Sequence, residues 1–284
     1  MALDNFIPAL WSARLLENLE SILVYASVCN RDYEGDITGI GSSVKINSIG
    51  EITIGNYTKN SNMAAVETLT DAQTTLLIDT AKYFHFQVDD IDQAQQQPKV
   101  MDAAMRRAAY GLRKAVDGSV ADLYSDAGNT LGTDVSPKSV GTGGTDDNAY
   151  ELLVDLGVLL DDDDIPADNR WVVVPPWYHG LLLKDQRFVS FGTEQNVATL
   201  HNGRVGMAAG FTIYKSSQVN NTAAAKYKIM AGHPMAITLA QQIMQVEAYR
   251  PELRFADAIK GLLVYGHKVV RPAALACLTA DIAS

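Results

Sequence analysis

One long amphipathic stretch, from Pro98 to Ser125, constrains this chain more than any other feature. Met101, Ala104, Met105, Ala108, Leu112, Ala115, Val116, Val120, Leu123 and Tyr124 recur at helical spacing and form a single stripe. Pro98 suits the first turn of a helix, and Asp102 complements its positive end. At 1.5 Å per residue such a helix would be about 40 Å long, more than the width of a compact domain of this size. Gly111 and Gly118 interrupt it at a cost of about 1 kcal/mol each relative to Ala. They read as a gentle bend or a close packing contact.

Ahead of this helix, Leu10, Trp11, Leu15, Leu16, Leu19 and Leu23 are spaced by Arg14, Glu17, Asn18 and Glu20, which predicts a short amphipathic helix over 9–24. Val44 and Ile46, then Ile52 and Ile54, alternate with polar residues around Ile49-Gly50 and read as a hairpin. A polar tip follows from Asn56 to Asn62, and Thr74 to Asp89 reads as one long strand carrying Leu76, Ile78, Tyr83, Phe84, Phe86 and Val88. Two-stranded excursions bury little by themselves, and they usually lie against something else, often a neighbouring subunit.

Beyond the helix, Gly128 to Thr145 is a Gly/Ser/Thr-rich loop, and Tyr150 to Leu160 is a helix with Asp146 and Asp147 near its N-terminus. Trp171 to Val174 is a buried strand closed by Pro175-Pro176, Trp177 to Lys184 is helical, and Asn202-Gly203 is a turn before Phe211, Ile213 and Tyr214. Ala236 to Tyr249 fits helix or strand, and Gly261 to Arg271 is a strand stopped by Pro272. The class is α+β.

Hydrophobic residues make up 47% of the 284, enough for one compound domain or two small ones without staples. Cys29 and Cys277, the only cysteines, have no partner spacing for a disulfide framework or zinc site, which fits a reducing cytoplasm. The first residues lack the form of a signal peptide, and the uncharged stretch Ile229 to Val246 carries His233, Pro234 and three glutamines, so no membrane partner is expected. A net charge of -10 removes the basic face on which tight nucleic-acid binding depends.

The chemistry-bearing candidates each have a simpler reading. Gly141-Thr142-Gly143-Gly144-Thr145 follows no strand and lacks the Lys-Ser/Thr ending of a phosphate loop, so it reads as a flexible loop. Asp161 to Asp164 lacks the ligand spacing of a calcium loop and reads as a solvated acidic turn. His85, His179, His201, His233 and His267 are scattered and form no metal or catalytic motif. Asn56-Tyr57-Thr58 and Asn220-Asn221-Thr222 match the glycosylation sequon but read as polar loops. No catalytic, cofactor or metal residue is assigned, no cofactor is expected, and the chain is not read as an enzyme.

Ile7-Pro8-Ala9-Leu10-Trp11, Asn30-Arg31-Asp32-Tyr33-Glu34-Gly35, Val44-Lys45-Ile46, Gly206 to Ser216 (GMAAGFTIYKS) and Gly261 to Pro272 occur in an order that resembles the major capsid proteins of tailed bacteriophages with the Hong Kong 97-type fold. The resemblance implies an N-terminal arm (1–34), an extended β-hairpin loop (35–92), a peripheral domain with a long spine helix (93–145), a mixed α/β axial domain (146–231) and C-terminal strands returning to the peripheral domain (232–284). It implies that the loop lies across the next subunit and outside its own subunit's core, and self-assembly into pentamers and hexamers of an icosahedral head in the host cytoplasm. Double-stranded DNA would be enclosed without tight specific binding. The implied partners are further copies of the chain, a portal, decoration proteins and a separate scaffolding protein, unless the chain is already trimmed. Some relatives crosslink through a loop lysine; Lys45 and Lys59 lie in that loop but read as ordinary surface lysines. An encapsulin-like compartment holding cargo enzymes is the alternative within this fold. A cytoplasmic hydrolase is a third reading, for which the sequence supplies no activated nucleophile.

Overall fold

The computed structural model describes residues 24–33, 41–49, 54, 56–57, 59–60, 62, 71–89, 100–143, 146–185, 204–223, 225–252 and 255–283. The helix expected over 9–24 and the turn at Asn202-Gly203 lie outside these residues, apart from Val24. In chain order the elements are α1 (Tyr25–Val28), β1 (Ser43–Ile49), β2 (Asp71–Leu77), β3 (Thr80–Asp89), α2 (Val100–Ala121), β4 (Asn129–Leu131), β5 (Lys138–Val140) and α3 (Ala149–Asp162). There follow β6 (Trp171–Val174), α4 (Pro176–Leu182), β7 (Arg204–Ala208), β8 (Phe211–Lys215), β9 (Asn221–Thr222), β10 (Lys226–Gly232), β11 (Ile237–Tyr249), β12 (Ala256–Val269) and β13 (Leu275–Ile282).

The long helix is present but shorter than its apolar pattern. α2 has 22 residues, about 33 Å at 1.5 Å per residue, and then tightens into a 3-10 turn over Asp122–Asp126. Met105, Ala109, Leu112, Val116 and Val120 are its buried stripe. A Cβ added at Gly111 or Gly118 would meet nothing within 4 Å among the described residues, so neither glycine serves a close packing contact with them.

α2 lies against an antiparallel sheet ordered β11-β12-β3. The segment that fits helix or strand by periodicity is strand β11, because β12 pairs with it from Ile237↔Val269 to Tyr249↔Ala258, with one slip between Ile243 and Gln245. Such long-range pairing decides what local pattern leaves open. Ile259, Leu263, Tyr265 and Val269 of β12 face the core that contains α2, and the Ser119 and Tyr265 hydroxyls are 2.8 Å apart. Phe84 of β3 stands opposite Gly261, where a Cβ would collide with its ring.

The other face of β12 carries a second layer. β1 pairs with β2, so Val44 and Ile46 stand opposite Leu76 and Thr74 and not opposite Ile54 or Ile52 as the sequence pattern had it. The stretch read as one long strand is two, β2 and β3, parted at Ile78-Asp79. At this corner the chain passes directly over Gly266, where any Cβ would strike the Leu77 carbonyl.

The remaining strands form a sheet ordered β4-β13-β10-β6-β8-β7, with β5 also on β13 and β9 on β10. Trp171, Val172, Val173 and Val174 of β6 are all buried, and Leu152, Leu153, Leu156 and Leu160 of α3 are buried in the same core. Asn148 caps α3 by accepting from the Tyr150 and Glu151 N–H groups at 2.8 and 3.3 Å. Of the C-terminal strands expected to return to the long helix, only β11 and β12 do so. β13 lies in the larger sheet, because its almost unbroken buried run, Leu275 to Ala280, suits a strand flanked on both sides.

A buried carboxylate joins the N-terminal turn to α2. Asp117 is 3% exposed and accepts the Val24 and Ala26 N–H groups at 3.0 and 3.3 Å. Burial raises its pKa, overcoming the lowering effect of these backbone donors and of the Arg113 charge. A folded pKa above the unfolded value makes ionisation cost stability, so folding gains as pH falls through the folded value and levels off below the unfolded value, about 3.9.

Two outcomes are expected in urea unfolding. Gly111→Ala and Gly118→Ala should each stabilise the subunit by about 1 kcal/mol, whereas Gly266→Ala should destabilise it; loss of stability in the helix variants would place an unseen packing partner over those glycines. Measured from pH 7 to pH 4, wild type should gain stability relative to Asp117→Asn, and an unchanging difference would show that Asp117 does not titrate in this window.

Candidate assembly surfaces

The base of the β1–β2 layer belongs to its own subunit. Val44, Ile46, Leu76 and Ile78 are buried against Ala240 of β11 and Val264 of β12, with Tyr33, Leu262 and Val270 packed around them. Lys268 donates to the Thr75 carbonyl at 3.1 Å and closes the same seam. This corrects the expectation that the hairpin lies wholly outside the core. Alternation explains it: the buried side chains of β1 and β2 make one apolar face, and the apolar even-numbered face of β12 receives it.

Among the described residues, the segment beyond has no such partner. Ile54 is 95% exposed and Tyr57 is 72% exposed, while Asn56, Lys59, Asn60 and Asn62 are exposed around them. On the same face of the sheet, past the reach of β1 and β2, lies an open groove of about 350 Å³ lined by Tyr83, His85, Glu247, Tyr249, Lys260 and Leu262. The Tyr249 hydroxyl is 2.7 Å from His85 Nε2, and Lys260 pairs with Glu247 at 2.7 Å. A third exposed apolar stripe, Val154 and Val158 of α3, runs between Asp155 and Asp162.

Residues singled out by type in the sequence are placed apart. Gly141 and Gly143 press against the Asp146 carboxylate, which accepts the Gly143 N–H at 2.7 Å. A carboxylate sitting where a phosphate would sit makes this loop a poor anion cradle. Asp161 leaves the acidic run to pair with Arg170 at 2.7 Å. His85, His179, His233 and His267 lie on different elements, and His201 falls outside the described residues. Burial lowers the pKa of His179, His233 and His267. Cys29 and Cys277 are free and buried, and burial pushes the Cys277 thiol up to about 11. Among the described residues no three His, Cys, Asp or Glu side chains are grouped to hold a metal ion, and no helix is long and apolar enough to cross a membrane.

The polar groups that matter most to the fold carried no sequence motif. Arg170, 4% exposed, donates through Nε to Pro166, through Nη1 to Gly157, and through Nη2 to Asp161 and Ile165, tying the end of α3 to β6. Lys228 donates to Asp134 at 2.6 Å and Thr279 at 3.0 Å, and the Lys228 hydrogen bond holds the Asp134 carboxyl below its usual range. The one available signal was a lone basic residue bordering an apolar strand.

Among the described residues, the exposed surfaces carry unpartnered apolar side chains such as Ile54, Tyr57, Val154 and Val158, and the buried polar groups are structural. A profile of phage capsid proteins matches residues 51–278. The chain belongs to the phage capsid protein family. The structure of this capsid protein is similar to one of Mycobacterium phage Che8, with 29% identity over 90% of each chain and a TM-score of 0.69. It also resembles the capsid structure of cyanophage P-SCSP1u, at 13% identity and TM-score 0.64 over 94% of this chain and 88% of that one. A virus-like particle from Pyrococcus furiosus matches at 14% identity and TM-score 0.56 over 98% of this chain and all of that one. No curated protein sequence matches the chain. The expected α+β capsid fold is therefore the observed one, and the role of the protein is structural, as part of a virion.

Val44→Asp or Ile46→Asp should cost the isolated capsid subunit at least about 2 kcal/mol by burying an unpaired charge, and Ile54→Asp should change its stability by less than about 0.5 kcal/mol. Equal effects in chemical denaturation would mean that the base and the exposed part of the loop are not distinct.

Proposed function

We propose that this capsid protein assembles into the pentamers and hexamers of an icosahedral phage head that encloses double-stranded DNA. The observation that carries the reading is the division of one loop into a base packed in its own core and an exposed part bearing Ile54 and Tyr57. Apolar side chains held this far from a core gain burial only from a second molecule. The exposed part of the loop docks on a neighbouring subunit, and the loss of that one interface is repeated around a closed lattice.

In this reading the peripheral domain is the slab made of α2, the β11-β12-β3 sheet and the β1–β2 layer. The axial domain is the larger sheet with α3 and α4, and it takes in β4, β5 and β13 as well as most of 146–231. A scaffolding protein, a portal and decoration proteins complete the partners, and assembly takes place in the host cytoplasm. No enzymatic step is required. A second reading, an encapsulin-like compartment, draws on the likeness to the Pyrococcus furiosus particle, which at 14% identity speaks for fold alone.

Electron microscopy of the protein, expressed with its scaffolding protein, should show closed shells with five-fold and six-fold clusters. Ile54→Asp combined with Tyr57→Asp should abolish or weaken those shells while leaving the subunit folded. Sedimentation of only monomers and dimers across protein concentration and salt would refute the reading, and native particles filled with an enzyme in place of nuclease-protected DNA would favour the compartment.

A further inference from the structure

The strongest unexplained feature lies on α2, away from the sheet. Among the described residues Arg106, Arg107, Tyr110 and Lys114 form the exposed face of its N-terminal two-thirds, and Arg113 is half-buried beside them. The Arg113 guanidinium stacks on the Tyr110 ring at 4.3 Å from its centroid. No described carboxylate forms an ion pair with any of these four cations, and Asp117, the acid nearest in sequence, is buried under the N-terminal turn with its oxygens on backbone N–H groups. Four cations within nine residues, of which Arg106, Arg107 and Lys114 have no described acidic partner and Arg113 feels the buried Asp117 charge, stand out in a chain whose net charge is -10.

We propose that this face of α2 contacts the phosphate backbone of duplex DNA inside the shell. The proposal rests on the capsid reading above and names the partner of one face of it. Like charges packed on one helix face repel one another and destabilise it unless an anion lies over them. Arg106 and Arg113, and likewise Arg107 and Lys114, are seven residues apart, about 10 Å along the axis, and over that length a duplex presents about six phosphate charges. The face has no apolar pocket in which a protein side chain would anchor, since its one aromatic ring is already covered by Arg113. Three guanidiniums and an ammonium on a wet, shallow ridge suit sequence-independent phosphate contacts.

The contact is weak in each subunit. With at most four phosphates neutralised, binding should fall with the third to fourth power of salt concentration, by the general slope of about 0.9 per contact. This agrees with a chain that does not grip DNA tightly: the acidic segment Asp146 to Asp164, with eight carboxylates and no cation, repels DNA, and α2 is a local exception. In a shell many weak contacts act together.

The test compares three full-length proteins, binding a fluorescent 30-base-pair duplex at low salt. The first is wild type. The second carries Arg106→Gln, Arg107→Gln, Arg113→Gln and Lys114→Gln, which keep good helix formers on the exposed face. The third removes the same charge elsewhere, away from the exposed loop, through Lys82→Gln, Lys184→Gln, Lys215→Gln and Arg271→Gln. The α2 variant should bind at least tenfold more weakly with a flattened salt slope, the control should bind like wild type, and both should keep wild-type helical circular dichroism and form shells. Equal weakening in both variants would show a net-charge effect and overturn the site. So would an α2 variant that binds DNA like wild type but no longer forms shells, because the stripe would then be a subunit interface. Failure of wild type itself to form shells would count against the capsid reading and leave the comparison of DNA binding to stand by itself.

Discussion

The structure depends on strand β12 being covered on both edges and both faces. β11 and β3 take its edges, α2 packs over Ile259, Leu263, Tyr265 and Val269, and the β1–β2 layer packs over Val264 and Gly266. These covers come from residues 43–49, 71–89, 100–121 and 237–249, so one strand near the C-terminus holds together segments from much of the chain. Two glycines make this possible. Gly261 leaves room for the Phe84 ring on one face, and Gly266 leaves room for the Leu77 carbonyl on the other. A central strand with ordinary side chains at both positions would hold one layer but not two.

From this follows the division between stable body and assembly surface. Backbone hydrogen bonds of the loop base are satisfied by the β1–β2 pairing, and its side chains reach a core, so the loop starts from a fixed direction. In the proposed docking, an anchored base would present Ile54 and Tyr57 to a neighbour at little orientational cost, where a free hairpin would lose that entropy. The groove beside it, edged by the His85–Tyr249 and Lys260–Glu247 pairs, lies on the same side of the sheet. Helix α2 and its cations lie on the opposite side. The slab made of α2, the β11-β12-β3 sheet and the β1–β2 layer therefore has one face dominated by aromatic and loop residues and one face that is basic.

Much of this was legible from periodicity. The spacing of Met105, Leu112, Val116 and Val120 located α2, and the runs Trp171 to Val174 and Gly261 to Val269 located β6 and most of β12. Partners were not legible. Val44 and Ile46 alternate as a strand should, but alternation is silent about which strand lies opposite, and a nearby pair of isoleucines looked as good as the more distant Leu76 and Thr74 that actually pair with them. Nor does alternation say which sheet a strand joins, and β13 lies in the larger sheet, apart from β11 and β12. Asp117, Arg170 and Lys228 were missed because a buried polar residue is recognised by the backbone groups it meets, and those lie 91 to 93 residues away for Asp117.

These buried polar groups share one arrangement. Asp117 accepts from the turn that ends the N-terminal segment, Arg170 donates to the carbonyls that end α3, and Lys228 ties β10 to β13 and to the loop before β5. In each case a single side chain satisfies backbone or hydroxyl groups that would otherwise be buried without partners, at a cost of about 1–3 kcal/mol apiece. An apolar replacement would leave those groups unpaired, so such positions hold geometry and their loss costs stability as well. For the proposed docking of the exposed loop on the next copy, fixed geometry is the property that matters. In the proposed closed shell, small errors in the angle between two layers of one subunit would be repeated at every interface, and a rigid junction between α2, β12 and the loop base would keep them from adding up.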